Sequence, residues 1–403
     1  MKKMSWWFSA GAAIVLLLGT SGFAQHYKQT NLVSNTAGAA AITDPQLLNA
    51  WGLSRGSGSA WWVSDQGAGV STLYNGNGAK QSLIVTIPPA DPTNKNTPIG
   101  SPTGTIFNGS QNDFLLAAGK PAVFLFCTGD GTIAGWNPTV AVDQGAMPPS
   151  THAVTVVRTT DGSAYTGLTR TLVDGKAFLY AANFTKGRVD IYDSGFQHVG
   201  SYNKDSKRDS DDDNNGPFAK NAFTDERLPQ HYVPFNVQAI GNDIVVTYVL
   251  REEGSRFETD GPGLGFVDIY SSTGRLLQRL EHGDWLNAPW GVALAPLDFG
   301  RFGHDLLVAQ FAGGGNTQSS GFIAAYDLTT GKFDGLLQDA NGKPLAINGI
   351  WAISPGNVNP GNNDPAAAPA ATMYFTAGPN QGSGGLFGYL TAVSTDLREG
   401  NDQ

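Results

Sequence analysis

The chain has one cysteine, Cys127, among its 403 residues, which excludes an intramolecular disulfide. Stability must therefore come from a hydrophobic core, and a chain of this length can bury a large one. Charged residues are also few, at 15%, whereas glycine is plentiful, with 52 residues. This composition is typical of a turn-rich β protein rather than of a helical one.

Long apolar runs are missing beyond residue 24, since none approaches the ~18 consecutive apolar residues of a membrane helix. The N-terminus, "MKKMSWWFSAGAAIVLLLGTSGFAQ", has two lysines, an apolar stretch from about Ala10 to Leu18 and small residues up to Ala24. This order is typical of a secretory signal peptide, and we expect cleavage after Ala24. The sequence therefore predicts an exported protein, periplasmic or extracellular, with a signal peptide at 1–24 and no membrane span in the mature chain.

Basic clusters are absent as well. Removing Lys2 and Lys3 from the 25 Lys and Arg residues leaves 23 against 34 Asp and Glu, a net charge of −11. Such a surface repels phosphate backbones. We therefore expect no nucleic-acid partner.

What the chain does contain is a short pattern that occurs six times: a glycine, alternating apolar and small residues, and Tyr or Trp five positions after the glycine. The pairs are Gly69 and Tyr74, Gly131 and Trp136, Gly187 and Tyr192, Gly265 and Tyr270, Gly321 and Tyr326, Gly384 and Tyr389. The alternation predicts a half-buried strand, with the glycine and the aromatic residue on opposite faces.

Each copy belongs to a group of predicted strands. A short segment with a small central residue, such as "TGL" from Thr166, and a more apolar strand, such as "AFLYAAN" from Ala177, come before it. A fourth strand follows five copies but not the sixth, whereas "YKQTNLVSN" from Tyr27 precedes the first copy without a partner. We therefore predict an all-β fold: a six-bladed β-propeller with four antiparallel strands per blade, in which the N-terminal strand completes the last blade. It forms a single domain at 25–403.

Three stretches interrupt the pattern and are predicted surface loops, at about 203–232, 251–263 and 354–371. The first contains "DDDNNG", which places Asp211, Asp213 and Asn215 at alternate positions before a glycine. Oxygen ligands with this spacing form the first half of a calcium-binding loop, but Ala222 stands where a bidentate carboxylate is needed. A calcium site and a solvated acidic loop are both open hypotheses.

Several long motifs resemble a family of secreted bacterial proteins of uncharacterised function, some of whose members carry a PEP-CTERM sorting tail. They are "NAWGLSRG", "YVPFNVQAIGNDIVVTYV", "NAPWGVALAPLDFGRFGHDLLVAQFAGG", "GKPLAINGIWAISPGN" and "GLFGYL". The present chain ends in "DLREGNDQ", without the apolar stretch and basic end of that tail. The resemblance implies a six-bladed propeller and export. More loosely, the pattern is similar to NHL-repeat and gluconolactonase-like propellers.

Two common catalytic patterns fit the sequence poorly. "GLSRG" matches the G-x-S-x-G nucleophile motif at Ser54, but that motif needs a strand followed by a helix, and here a second strand is predicted. The six histidines show no metal-ligand spacing. A gluconolactonase-like enzyme would need carboxylates around a divalent ion in the central channel. None of the first strands supplies one, although Asp65, Asp130 or Asp298 could reach inward from loops.

Polar and indole side chains do recur where the first strands converge. They are Asn49, Trp51, Asn236, Gln238, Asn287, Trp290, Asn348 and Trp351. Amides and indoles around one channel mouth suit a neutral polar ligand such as a sugar or peptide. The structural alternative is that Asn caps the turns entering the strands and Trp wedges between blades.

No complete catalytic constellation emerges, so we leave enzymatic activity undecided and favour a binding module. The predicted function is that of an exported, monomeric propeller that binds a polar ligand or an extracytoplasmic partner. The alternatives are a metal-dependent hydrolase of the gluconolactonase-like type and a structural component of the cell surface or matrix. No cofactor is implied beyond the calcium hypothesis.

Overall fold

Six sheets of four antiparallel strands stand around a central axis, in a computed structural model that describes residues 25–202, 217–219, 221–311, 320–356 and 371–394. The innermost strand of each sheet contacts the innermost strands of the two neighbouring sheets, and the sixth contacts the first. The predicted six-bladed β-propeller is confirmed. The predicted calcium ligands Asp211, Asp213 and Asn215 and the signal peptide lie outside the described residues.

Each blade is built from four strands that follow one another from the axis outward. Blade 1 consists of Ala50–Ser54, Trp61–Asp65, Val70–Tyr74 and Lys80–Thr86. Blade 2 consists of Pro102–Phe107, Phe124–Thr128, Thr132–Trp136 and Val154–Arg158. Blade 3 consists of Tyr165–Val173, Lys176–Asn183, Arg188–Asp193 and His198–Tyr202. Blade 4 consists of Tyr232–Ile240, Asp243–Leu250, Gly265–Ser271 and Leu276–Arg279. Blade 5 consists of Pro289–Leu294, Leu306–Gln310, Ile323–Tyr326 and Phe333–Leu336. Blade 6 consists of Ile350–Pro355, Thr372–Ala377, Leu386–Ala392 and Tyr27–Ser34.

The elements outside the blades are short. They are Ile42–Thr43, parallel to the N-terminal strand, the pairs Leu115–Ala117 with Lys120–Pro121 and Ser320–Gly321 with Ile347–Asn348, and the 3-10 turn Gly300–Phe302. In the described part of the chain, no helix has the length and apolarity needed to cross a membrane. The lone Cys127 is buried and free.

The N-terminal strand closes the ring as predicted. It runs antiparallel to Leu386–Ala392, with Thr30 opposite Tyr389 and Tyr27 opposite Ala392. Tyr27 is 2% exposed, and its hydroxyl donates to the carbonyl of Phe299 in blade 5 over 2.9 Å. The first strand is therefore held by two blades, which couples the start of the chain to its last third.

In five of the six repeats the aromatic residue is buried in the core, and its polar atom has a hydrogen-bond partner. The sixth repeat differs, because Tyr389 is half-buried and Leu390 occupies the core position. Tyr74 donates to Asp44 over 2.6 Å, and Trp136 donates to the carbonyl of Ser150 over 2.9 Å. Because an unpartnered buried polar group is costly, these bonds explain how Tyr and Trp occupy core positions.

The small residues of the innermost strands are required by close packing at the axis. A Cβ on Gly52 would lie 2.5 Å from the carbonyl oxygen of Thr103, and one on Gly291 would lie 2.2 Å from that of Trp351. Both distances are far below van der Waals contact, and both partners are backbone atoms of the next blade. The prediction that small residues let these strands crowd together is confirmed.

We expect Gly291→Ala to destabilise the fold, because either the innermost strand of blade 5 or that of blade 6 must shift. The expected loss is about 1–3 kcal/mol in the free energy of unfolding, measured by urea denaturation. Gly58→Ala is the matched control, since a Cβ there meets nothing within 4 Å. Equal stability of the two variants would contradict close packing at the axis.

A buried carboxylate ties the strands of blade 3 together. Asp190 accepts hydrogen bonds from Asn183 over 2.7 Å and Ser201 over 2.7 Å, and it pairs with Arg188 over 2.7 Å. Burial alone would raise the pKa of Asp190, but hydrogen bonds from His198, Ser201 and Asn183 and the charge of Arg188 hold it at about 2.

Because the pKa of Asp190 is lower in the folded than in the unfolded chain, its contribution is complete above about pH 4 and is lost as the pH falls toward about 2. We expect the wild type to lose roughly 2 kcal/mol more stability than Asp190→Asn across that window. Denaturation curves recorded at several pH values test this, with Asp298→Asn, at an exposed carboxylate, as the control. Parallel pH curves for wild type and Asp190→Asn would refute the role of this carboxylate.

Candidate functional site

One end of the central channel collects the segments that enter the innermost strands. The first two strands of a blade are antiparallel, so the turn after the second strand lies at this same end. We call this end the mouth. It brings Asn49 and Trp51 of blade 1 to the same side of the molecule as Gln310 and Phe311 of blade 5.

Three blades use the same backbone device at the mouth. Asn49 with φ 48°, Ala288 with φ 48° and Gly349 with φ 64° are left-handed, and each lies two residues before a tryptophan. The tryptophans are Trp51, Trp290 and Trp351. A left-handed residue makes a sharp turn, so each of these three strands begins by directing its tryptophan into a common cluster.

The tryptophan cluster consists of Trp51, Trp290 and Trp351 with Phe235 and Phe311. Trp351 stacks on Trp51 at a centroid distance of 3.6 Å and on Phe311 at 4.1 Å. Trp290 meets Trp51 and Trp351 edge-on, at 5.9 and 5.8 Å. Trp290 and Trp351 are buried, whereas Trp51 and Phe311 are half-buried. The two outer rings of the stack therefore keep accessible surface.

The channel beneath the cluster is too narrow for an organic ligand. The innermost strands leave about 20 Å³, which is room for one water molecule. Trp290 crosses from blade 5 and donates from Nε1 to the carbonyl of Thr166 in blade 3 over 3.0 Å. Asn236 donates from Nδ2 to the carbonyl of Trp290 over 2.7 Å. A ligand of sugar size therefore does not fit inside this part of the channel.

The structure brings Asn49 and the three tryptophans of the predicted site together. Asn49 Oδ1 accepts from Trp351 Nε1 over 3.2 Å, and its Nδ2 donates to Gln66 Oε1 over 2.9 Å. Gln66, which the sequence did not single out, also donates to Ser101 over 2.7 Å. The hydrogen-bonded side-chain amides of Asn49 and Gln66 thus lie along the blade 1 side of the cluster.

The other predicted amides take different places. Asn236 and Gln238 line the narrow channel. Asn287 Oδ1 accepts from the backbone N–H of Gly261 over 2.8 Å, and Asn348 Oδ1 accepts from that of Asn380 over 3.0 Å. These bonds connect each asparagine to the backbone of a separate loop. Ligand binding by the eight residues stays a prediction.

Buried polar atoms without a hydrogen-bond partner are spread over the described part of the chain, and some belong to residues at the mouth or on its loops. Those are Trp51 Nε1, Thr166 Oγ1, Arg251 Nε, Asp260 Oδ1 and Gln310 Nε2. Such groups are rare in native proteins and call for an explanation by a water, an ion or a ligand. Sequence reasoning missed Arg251, Asp260 and Gln310 because their position at the mouth depends on the folded ring.

The loop at 251–263 lies against this cluster. The Arg251 guanidinium is 5.5 Å from the ring of Phe184, which in turn is 5.8 Å from Phe235. Burial, with the nearby charge of Asp260, raises the pKa of Glu258 to about 7. Burial also raises the pKa of Asp260 above its ordinary range. The loop therefore carries two desolvated carboxyl groups, in which burial favours the protonated form.

The residues weighed for metal or nucleophilic chemistry have structural contacts. Asp65 is buried and accepts from Thr72 over 2.7 Å, Asp130 accepts from the N–H of Ala90 over 2.7 Å, and Asp298 is exposed. In the part of the chain that the structure covers, no three His, Cys, Asp or Glu side chains are grouped to hold a metal ion.

Ser54 does not occupy a nucleophile elbow. Its Oγ accepts from the N–H of Phe107 over 2.9 Å, and the next element is the strand Trp61–Asp65. The required helix is replaced by a strand, as the sequence indicated.

No family model matches the chain. Two uncharacterised proteins of Acanthamoeba polyphaga mimivirus are 26% identical to it. One aligns over 335 residues, 82% of this chain and 74% of the relative, and the other over 371 residues, 90% and 85%. Both are relatives without an assigned activity.

Two solved structures are similar over most of their length. A streptogramin B lyase is 11% identical, with 92% of this chain and 98% of the lyase covered and a TM-score of 0.45. The soluble aldose sugar dehydrogenase of Escherichia coli, in its apo form, is 11% identical, with 91% and 100% covered and a TM-score of 0.49. The assignment as a six-bladed propeller rests on the strand order and ring closure described above.

We expect Trp51→Phe to weaken the far-UV circular-dichroism couplet that two stacked indoles produce, because Trp51 and Trp351 are 3.6 Å apart. Loss of the stack should also lower the free energy of unfolding by about 1 kcal/mol. Trp285→Phe is the control, since Trp285 stacks on Phe333 rather than on a tryptophan. An unchanged couplet in Trp51→Phe would show that the two rings do not stack.

Proposed function

We propose that the protein is an exported six-bladed propeller that binds a small polar ligand at the mouth, as a monomer in the periplasm or outside the cell. The N-terminal pattern of residues 1–24 and the resemblance to secreted bacterial propellers support export. The accessible rings of Trp51 and Phe311, with amides beside them, support recognition of a polar molecule that has an apolar face.

The observation that carries this proposal is the stack of Trp51, Trp351 and Phe311, whose two outer rings keep accessible surface at the mouth. Such rings bind the apolar face of a ligand, and the amides of Asn49 and Gln66 lie beside them for its polar groups.

The other two hypotheses have less support. A metal-dependent hydrolase would use a carboxylate group around the axis, whereas the channel wall carries Asn236, Gln238 and small or apolar residues. A structural role at the cell surface would not account for the accessible aromatic rings at the mouth, whereas ligand binding does.

A thermal-shift screen of the mature protein with neutral oligosaccharides, lactones, peptides and divalent ions tests the proposal. We expect at least one organic ligand to raise the melting temperature, because it binds only the folded chain. Trp51→Ala should weaken binding of that ligand by about ten-fold or more, and Trp285→Ala, outside the cluster, should not. A flat screen, or equal affinity of the two variants, would refute ligand binding at the mouth.

A further inference from the structure

A row of hydrogen-bonded side chains crosses the mouth from blade 6 to blade 2. Trp351 Nε1 donates to Asn49 Oδ1 over 3.2 Å, and Asn49 Nδ2 donates to Gln66 Oε1 over 2.9 Å. Gln66 Nε2 donates to Ser101 Oγ over 2.7 Å. We call this row the amide strip. Asn49, Gln66 and Ser101 are all half-buried, so the strip keeps contact with solvent.

The indole of Trp351 sets the direction of every hydrogen bond in the amide strip. An indole N–H can only donate, so Asn49 must present its oxygen to Trp351 and its NH₂ group to Gln66. Gln66 must then accept with its oxygen and donate with its NH₂ group to Ser101. The Ser101 hydroxyl therefore receives a hydrogen bond and keeps its own proton to donate. No described residue accepts that proton.

Ser101 stands at the mouth, at the start of the strand next to that of Trp51. Its carbonyl accepts over 2.8 Å from the N–H of Gly129, which directly follows the second strand of blade 2. The innermost strands of blades 1 and 2 are neighbours, with Gly52 packed against the carbonyl of Thr103. Trp51 directly precedes Gly52, and Ser101 is two residues before Thr103. The free O–H and the half-buried Trp51 ring therefore belong to adjacent strands at the same end of the molecule.

These features define a ligand by its chemistry. A free O–H needs an acceptor oxygen, which an ammonium group does not supply. The hydrogen bonds of the amide strip involve only uncharged side chains, so nothing in the strip favours an ionic ligand. The flat ring of Trp51 binds the apolar face of another ring. A pyranose combines a C–H face with hydroxyl oxygens at its edge in one rigid unit, so it loses little conformational entropy on binding.

We propose that the mouth binds a neutral carbohydrate, with one sugar ring stacked on Trp51 and a sugar oxygen accepting from the Ser101 hydroxyl. The amide strip directs the proton of that hydroxyl away from Gln66, and hydrogen bonds in a row polarise one another in the same direction. Ser101 is therefore the residue that selects for an acceptor oxygen on the ligand. The inference rests on the proposed function and specifies its ligand.

Two variants remove the free proton in different ways. Ser101→Ala removes the hydroxyl itself. Gln66→Glu keeps the size of the side chain, but a carboxylate only accepts, so Ser101 donates to it and no longer has a free proton. Two controls match them. Ser101→Thr keeps a hydroxyl, and Ser272→Ala changes a half-buried serine that follows the third strand of blade 4, at the end of the molecule opposite the mouth.

Calorimetric titration of the full mature protein with cellotriose, mannotriose, xylotriose and triacetylchitotriose tests the inference. We expect at least one of these neutral trisaccharides to bind the wild type. Ser101→Ala and Gln66→Glu should each weaken its binding about five-fold or more, because one hydrogen bond to the ligand is lost. Ser101→Thr and Ser272→Ala should retain the affinity of the wild type. Melting temperatures recorded without ligand verify that each variant is folded.

Wild-type affinity in either Ser101→Ala or Gln66→Glu overturns the inference, while a requirement for Trp51 would leave the proposed function intact. Because Gln66→Glu deletes no side-chain atom of Ser101, a weaker affinity in this variant is not a loss of packing at that residue. If no trisaccharide binds while a peptide or a lactone still requires Trp51, the carbohydrate assignment is wrong and the proposed function stands. If no compound binds, both fail.

Discussion

The structure depends on close contact between six innermost strands around one axis. Each of these strands touches both neighbours, and at Gly52 and Gly291 even one Cβ would collide with the backbone of the next blade. This packing closes the ring, but it also fills the axis and leaves about 20 Å³. A ligand of ordinary size therefore does not fit in the part of the channel that these strands line.

At the mouth the blades are not equivalent. Blades 1, 5 and 6 each place a tryptophan behind a left-handed residue, whereas blades 2 and 3 place Thr103 and Thr166 at the corresponding positions. The carbonyl of Thr166 accepts a hydrogen bond from Trp290 Nε1 across the axis. The hydroxyl of Thr103 donates to the carbonyl of Tyr165 over 2.7 Å. One side of the mouth is therefore aromatic and the other polar. Such asymmetry orients a ligand that has one apolar and one polar face.

The fold could be predicted from the sequence because each strand is marked by its own alternation of apolar and small residues. The N-terminal strand at Tyr27, which has no partner in sequence, predicts closure of the ring. The functional site could be predicted only in part. Trp51, Trp290 and Trp351 share a repeat position, so their meeting could be predicted. Gln310 ends the second strand of blade 5, where other blades carry different residue types, and Asp260 lies in a loop outside the repeat, so no recurring residue marked either one. Asn287 and Asn348 precede their tryptophans by three residues instead of two, and this one-residue difference turns them toward loops.

The net charge of the chain does not by itself define a binding position. The chain carries a formal charge of −9, which draws cations toward the whole surface, but such attraction is screened within about 8 Å at physiological salt. Desolvated carboxylates are screened far less. Glu258 and Asp260 are half-buried, whereas Glu252 on the same loop is exposed. A charge on either of the first two is therefore screened less by salt than a charge on Glu252, so the acidic residues of this surface are not equivalent.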